Sequence, residues 1–154
     1  MPPVGDATIS APHAVPRLSG FELPPGYALP IQSDTDVLRA RQAARQWAAR
    51  LGFRLVDQTR IVTAASELAR NTLIHGGAGT VYLEAVEAAG RFGLRLTFTD
   101  TGPGILDIER AMCDGFTTGK GLGLGLGGAR RLCDEFDIAS TPGQGTRVRI
   151  TQWL

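Results

Sequence analysis

Glu67 and Asn71, four residues apart in ELARN, are the first pair whose types and spacing could do chemistry together. On a helix, at about 100° per residue, they point within roughly 40° of each other and stand about 6 Å apart along the axis. A carboxylate and an amide oxygen so placed can share a hydrated cation or a reacting water. They can equally be a hydrogen-bonded pair on a polar stripe. Asp100 heads DTGPG, where an alternating run ends in a tight Gly-Pro-Gly turn. There a carboxylate can accept from an exocyclic amine inside a pocket, or simply shape the turn. The third candidate is GKGLGLGLGG at 119–128, in which Gly121, Gly123, Gly125, Gly127 and Gly128 alternate with Leu122, Leu124 and Leu126. Backbone without Cβ approaches a ligand closely, and such a loop running into a helix can cradle a phosphate on free amides. Flexible linkers carry serine, not regularly spaced leucine. Lys120, the only lysine, enters this loop.

The elements that must hold these residues are legible in outline. Residues 1–26 carry six of the nine prolines and little periodicity, and read as a poorly ordered tail. Tyr27–Gln32 reads as an edge strand, since Pro30 is tolerated only at an edge. A helix is expected over Asp34–Leu51, capped by Ser33 or Asp34 and ended by Gly52, with Val37, Ala40, Ala44, Trp47, Ala48 and Leu51 inward. Arg39, Arg41, Arg45 and Arg50 fall mostly off that stripe, as a solvated face or a docking surface for an acidic partner. A second helix is expected from Asp57, as its cap, to Ile74, with Ile61, Val62, Ala65, Leu68, Ala69, Thr72 and Leu73 buried. His75–Gly76–Gly77 ends it, with His75 as a C-terminal dipole partner.

Thr80–Glu87 and Phe92–Thr99 read as two strands, the second alternating strictly through Phe92, Leu94, Leu96 and Phe98. Ile105–Met112 is expected as a short helix, and Leu124–Phe136 as the helix after the glycine loop. Asp137–Thr141 and Thr146–Trp153 form a hairpin across Pro142–Gly143–Gln144–Gly145.

The totals narrow the class. The 154 residues suit one domain, and a net charge of +1 gives no whole-chain case for nucleic acid or an anionic membrane. No apolar run reaches the length of a membrane span, and MPPVGDATIS lacks the regions of a signal peptide. Cys113 and Cys133 suggest reduced thiols in a cytoplasmic protein, and His13 and His75 are too few for a zinc site. A Walker-type loop is absent.

In their order, ELARN (67–71), DTGPG (100–104), GLGLGL (121–126) and Gly145–Thr146 resemble the ATP-binding module of the GHKL superfamily: gyrase, Hsp90, histidine kinases and MutL. SELARNTLIHGG, DGFTTGKGLGLGLGGARRLCDEFDI and GTRVRI are most similar to the small serine/threonine kinases that regulate sigma factors through STAS-domain antagonists. The resemblance runs from about Tyr27 to the C-terminus. It implies an α/β two-layer sandwich, with a mixed, mostly antiparallel sheet covered on one face by helices. It also implies ATP and Mg²⁺ as cofactors, with Glu67 as general base and Asn71 holding the metal. Asp100 would accept from the adenine amine with Thr146 in support, and Gly102 and Gly104 would keep the base pocket open. Thr118, Lys120, Gly121, Leu122, Gly123, Leu124 and Gly125 would wrap the phosphates as a lid. A STAS-domain antagonist is the implied substrate, with a sigma factor or a phosphatase as further partners and a homodimer left open. Two other readings share the boxes: an ATP-holding module that acts by sequestering or activating a partner, and a detached histidine kinase catalytic domain. For the latter, neither His13 nor His75 looks like a phosphoacceptor.

Overall fold

Alternation of buried and exposed residues along four strands and helical stripes along two long helices give two layers. The computed structural model describes residues 24–113 and 125–154. In chain order the elements are β1 (Tyr27–Ile31), α1 (Asp34–Leu51), α2 (Leu55–Ile74), β2 (Gly79–Ala88), β3 (Arg91–Asp100), α3 (Ile108–Ala111), α4 (Gly125–Leu132), β4 (Glu135–Thr141) and β5 (Gly145–Trp153). The sheet order is β1-β2-β3-β5-β4. All four pairings are antiparallel, so the mixed character expected from the sequence is reduced to a purely antiparallel sheet among the described residues. β1 is indeed an edge strand, and Pro30 sits in it where a missing N–H is tolerated.

Register sets which side chains face the helices. Leu29–Val81–Phe98–Val148–Ile138 and Leu83–Leu96–Ile150–Phe136 form rows across the strands. Val81, Leu83, Leu94, Leu96 and Ile150 are fully buried against Ile61, Ala65 and Leu68 of α2 and Ala40, Ala44 and Ala48 of α1, in one apolar cluster. Each large aliphatic side chain so buried contributes roughly 1.5–3 kcal/mol. The opposite face is polar. There Arg95 Nε donates to Thr151 Oγ1 at 3.0 Å, Arg147 pairs with Asp137 at 3.8 Å and the Arg91 guanidinium lies 5.6 Å from the Trp153 ring centre. No helix among the described residues is long and apolar enough to cross a membrane.

α1 follows the expected bounds, with Ser33 Oγ accepting from Asp36 N and Gly52 closing it in the left-handed conformation. Asp36 is itself buried, accepting from Gln32 N at 2.9 Å and holding Arg39 at 3.3 Å. Three expectations need correcting. α2 starts at Leu55, two residues before Asp57; Arg54 is its cap residue, and Asp57 pairs with Arg54 at 3.1 Å without capping. α3 is a single turn, because Ile105 N–H is committed to Ser140 Oγ on β4 and Asp107 starts the helix by accepting from Arg110 N. α4 stops at Leu132, since Asp134 N–H goes to Gln152 Oε1 and Phe136 pairs with Ile150 inside β4. Leu51, Leu73 and Leu132 are half-buried at the rim of the core.

Behind α4, Met112, Gly127, Arg130, Arg131 and Cys133 line an open cavity of about 410 Å³, and none of the expected contact residues that the structure describes is among them. Burial there, with Asp134 adding a smaller effect, pushes the Cys133 thiol up to about 12. Cys113, by contrast, is exposed. A disulfide reagent near pH 8 is therefore expected to label Cys113 rapidly and the half-buried Cys133 much more slowly, because so little of it is thiolate. The raised value means the fold retains a proton that the unfolded chain loses above its ordinary value of 9.0, so Cys133 lowers stability as pH rises from about 9 towards 12. Equal labelling rates in the native protein would contradict this placement.

Candidate functional site

α2 carries Glu67 and Asn71 on successive turns and then delivers its C-terminal end against the end of β3. Glu67 is one of the few buried charged residues, 9% exposed, although the core stripe runs on both sides of it. Its Oε1 lies 3.8 Å from the guanidinium of Arg70, which is half in solvent. Asn71 is half-buried one turn further on. The helix ends with His75 N–H and Gly76 N–H both turned back to the Asn71 carbonyl, at 2.9 and 3.4 Å.

Gly76 has to be glycine for a steric reason. A Cβ there would run into the Asp100 carboxylate carbon and its Cβ, and would lie 2.6 Å from the Thr72 carbonyl. Gly102 completes the same contact from the other side: its Cβ would meet the Gly76 Cα at 2.7 Å. The end of α2 and the DTGPG segment therefore touch backbone to backbone, with the Asp100 side chain held between them. Asp100 Oδ1 accepts from Gly102 N at 2.9 Å, which makes the Asx turn the sequence allowed. The other carboxylate oxygen receives no hydrogen bond from the described residues. The turn-shaping alternative for Asp100 is thus met through one of its oxygens.

The hairpin β4–β5 supports this segment from beneath. Asp100 pairs in register with Gly79 on one side and Thr146 on the other, and Thr146 pairs with Ser140. Gly143 N donates to Pro103 O at 2.7 Å, and Gly104, at φ 75°, lies against the Thr141–Pro142 backbone. Gly145 adopts φ 113°, where a Cβ would strike the Asp100 carbonyl. Ser140 Oγ accepts from Ile105 N at 2.8 Å and stands 2.8 Å from Thr146 Oγ1. From Glu67 to Gly76 the helix axis advances roughly 13 Å, the length scale of a nucleoside triphosphate.

The structure thus brings Asn71, Asp100, Gly102, Gly104 and Thr146 to one end of the sheet, with Glu67 further back along α2. Gly125 opens α4 at φ 65°. Thr118, Lys120, Gly121, Leu122, Gly123 and Leu124 lie outside the described residues. Leu126, just after them, is buried and seats α4 in the core. Sequence reasoning missed Gly76, taken only as a helix end, and Ser140. Counting back across the Pro142–Gly143 turn from Thr146 places Ser140 opposite it, a signal that was available.

Comparison with known proteins gives the family. Residues 56–154 match the family described as histidine kinase-, DNA gyrase B-, and HSP90-like ATPase. The chain is 48% identical over 124 residues to the serine/threonine-protein kinase RsbT of Bacillus subtilis, covering 80% of this chain and 93% of that protein. It is 34% identical over 121 residues to an anti-sigma F factor of a Thermoanaerobacter strain, covering 75% and 83%. Among solved structures, the RsbU and RsbW domains of a Mycobacterium tuberculosis protein share the fold at a TM-score of 0.58 and 24% identity over 84% of this chain. This chain spans 32% of that one.

The close approach at Gly76 has a direct consequence. Gly76→Ala is expected to destabilise the protein by about 1–3 kcal/mol through overpacking, read as a lower urea midpoint. An unchanged midpoint would show that the end of α2 and Asp100 are not in contact.

Proposed function

Since the chain belongs to the histidine kinase-, DNA gyrase B- and HSP90-like ATPase family, we propose that it is a Mg·ATP-dependent serine/threonine kinase acting on a STAS-domain antagonist. Its setting would be a cytoplasmic partner-switching pathway that controls a sigma factor or a stress response. The observation that carries the reading is Glu67. A carboxylate buried to 9% exposure in the face of α2, one turn before Asn71, has no packing reason to be there. A general base does.

The residues present fit ATP. Close packing of Gly76 and Gly102 holds the Asp100 side chain in place at the end of the sheet. Asp100 offers an unpaired carboxylate oxygen to an exocyclic amine, and Thr146 a hydroxyl beside it. No group of three or more His, Cys, Asp or Glu side chains among the described residues could cage a metal ion. Asn71 alone would then hold Mg²⁺, with phosphate oxygens and water completing the shell, which suits a cation that dehydrates reluctantly. Bound Mg·ATP supplies the phosphoryl group and much of the charge neutralisation the transfer needs. Glu67 takes the proton from the partner's serine or threonine hydroxyl at the carboxylate that Arg70 orients. Thr118, Lys120 and the Gly121–Gly125 run belong to this proposal as the phosphate-wrapping segment.

A second reading is favoured by the relatives that are named anti-sigma F factors: the protein binds ATP and acts by holding a sigma factor. Transfer from labelled ATP to candidate STAS-domain proteins separates the two. Glu67→Gln is expected to cut transfer by about 10²–10⁴ while nucleotide affinity stays within a few-fold of wild type. Nucleotide binding without transfer to any STAS protein would favour the sequestering role, and undiminished transfer by Glu67→Gln would remove the base assignment.

A further inference from the structure

α2 begins with two aliphatic residues that the fold does not bury. Leu55 and Val56 are 76% and 54% exposed, whereas the next aliphatic residues of the helix, Ile61 and Val62, lie in the core. Neither of the first two belongs to the apolar cluster. At about 100° and 1.5 Å per residue, Val56 points within roughly 20° of Glu67 and stands about 16 Å before it along the axis. Arg60 and Thr63 lie between them on the same stripe. Thr59 and Thr63 each donate the hydroxyl hydrogen to the carbonyl one turn back, Leu55 O at 3.0 Å and Thr59 O at 2.8 Å. Neither keeps a hydrogen for a partner, so this side of the helix is less polar than its residue types suggest.

Positive charge rims the exposed pair. Arg50 is in the last turn of α1, Arg54 immediately precedes Leu55, and Arg60 is one turn beyond Val56; all three are exposed. Between residues 50 and 60 only Asp57 opposes them, and it is paired with Arg54 at 3.1 Å. Two aliphatic side chains rimmed by arginine complement an acidic surface with an apolar residue at its centre. A second copy of this chain is a poor occupant, because an isologous contact would set the arginines against themselves.

Position along α2 selects which acidic partner this is. Under the nucleotide reading the base lies beside Asp100 at the C-terminal end of α2, and the phosphates run back along the helix towards Glu67. An acceptor hydroxyl then reaches Glu67 from the side away from the base, which is the side of Arg60 and Val56. We propose that Leu55 and Val56, rimmed by Arg50, Arg54 and Arg60, form the docking site of the protein substrate, whose acidic surface is held there while its serine or threonine is presented to Glu67. This rests on the kinase reading and adds where the substrate is gripped. The patch touches neither the nucleotide nor the reacting atoms, so it acts on partner binding and not on the transfer step.

Steady-state transfer from labelled ATP to the STAS-domain protein that the full chain phosphorylates fastest tests it, with kcat, the KM for that protein and the KM for ATP measured separately. Leu55→Ala/Val56→Ala is expected to raise the protein KM about tenfold, with kcat and the ATP KM within about twofold of wild type. Arg60→Glu should raise the protein KM as well and flatten its dependence on salt, while Arg60→Lys stays near wild type. The substituted side chains are exposed, so the urea midpoints of these variants should match that of the wild type. A protein KM unchanged in the double alanine variant, or an ATP KM that rises in parallel with it, would overturn the docking site and leave the kinase reading standing. A wild type that transfers phosphate to no STAS-domain protein would overturn both.

Discussion

The contact on which the site depends is backbone against backbone, where the end of α2 meets the DTGPG segment with the Asp100 side chain between them. Gly76 and Gly102 permit it, and any Cβ there would have to displace peptide groups or the carboxylate itself. Interiors are packed too closely to absorb such a displacement without shifts elsewhere. α2 is anchored in turn by Ile61, Ala65 and Leu68 in the core, so its end cannot retreat without opening the apolar cluster. The position of Asp100 relative to Glu67 and Asn71 is therefore fixed by core packing, and not by any hydrogen bond between them.

The sheet divides the work between its faces. One face carries aliphatic rows under α1 and α2, and where those rows run out at the open end of β3 and β5, Asp100, Thr146 and Ser140 continue them as polar groups. The other face balances charges among Glu84, Arg95, Asp137 and Arg147. A carboxylate at the end of an apolar row is poorly placed to stabilise the fold and well placed to meet a ligand entering between helix and sheet. Glu67 repeats the pattern on the helix, a charged residue at a position where the stripe would take an aliphatic one.

Much of this was legible because it is local. Ser33 and Gly52 punctuate α1, alternation through Leu94, Leu96 and Phe98 marks β3, and Pro142–Gly143 marks the last turn. What the sequence did not reveal depends on partners far away along the chain. α3 is short because Ile105 bonds to Ser140, thirty-five positions on. α4 ends early because Gln152 takes Asp134 N–H and β5 claims Phe136, while the apolar spacing through Phe136 would suit a helix equally well. Gly76 looked like an ordinary helix terminator, because nothing near it in sequence shows that a carboxylate from position 100 lies against it.

The central claim is that Asp100 recognises the amine of a purine nucleotide in a pocket closed by α2. Calorimetric titration of Mg·ATP into wild type and Asp100→Asn tests it most directly. Asparagine keeps the shape and can still accept from Gly102 N through its carbonyl oxygen, but it turns donor hydrogens towards the amine. The account predicts saturable binding by the wild type and a loss of at least about a hundredfold in Asp100→Asn, the cost of opposing donors where a charged acceptor stood. Equal affinity of the two proteins for Mg·ATP would contradict it.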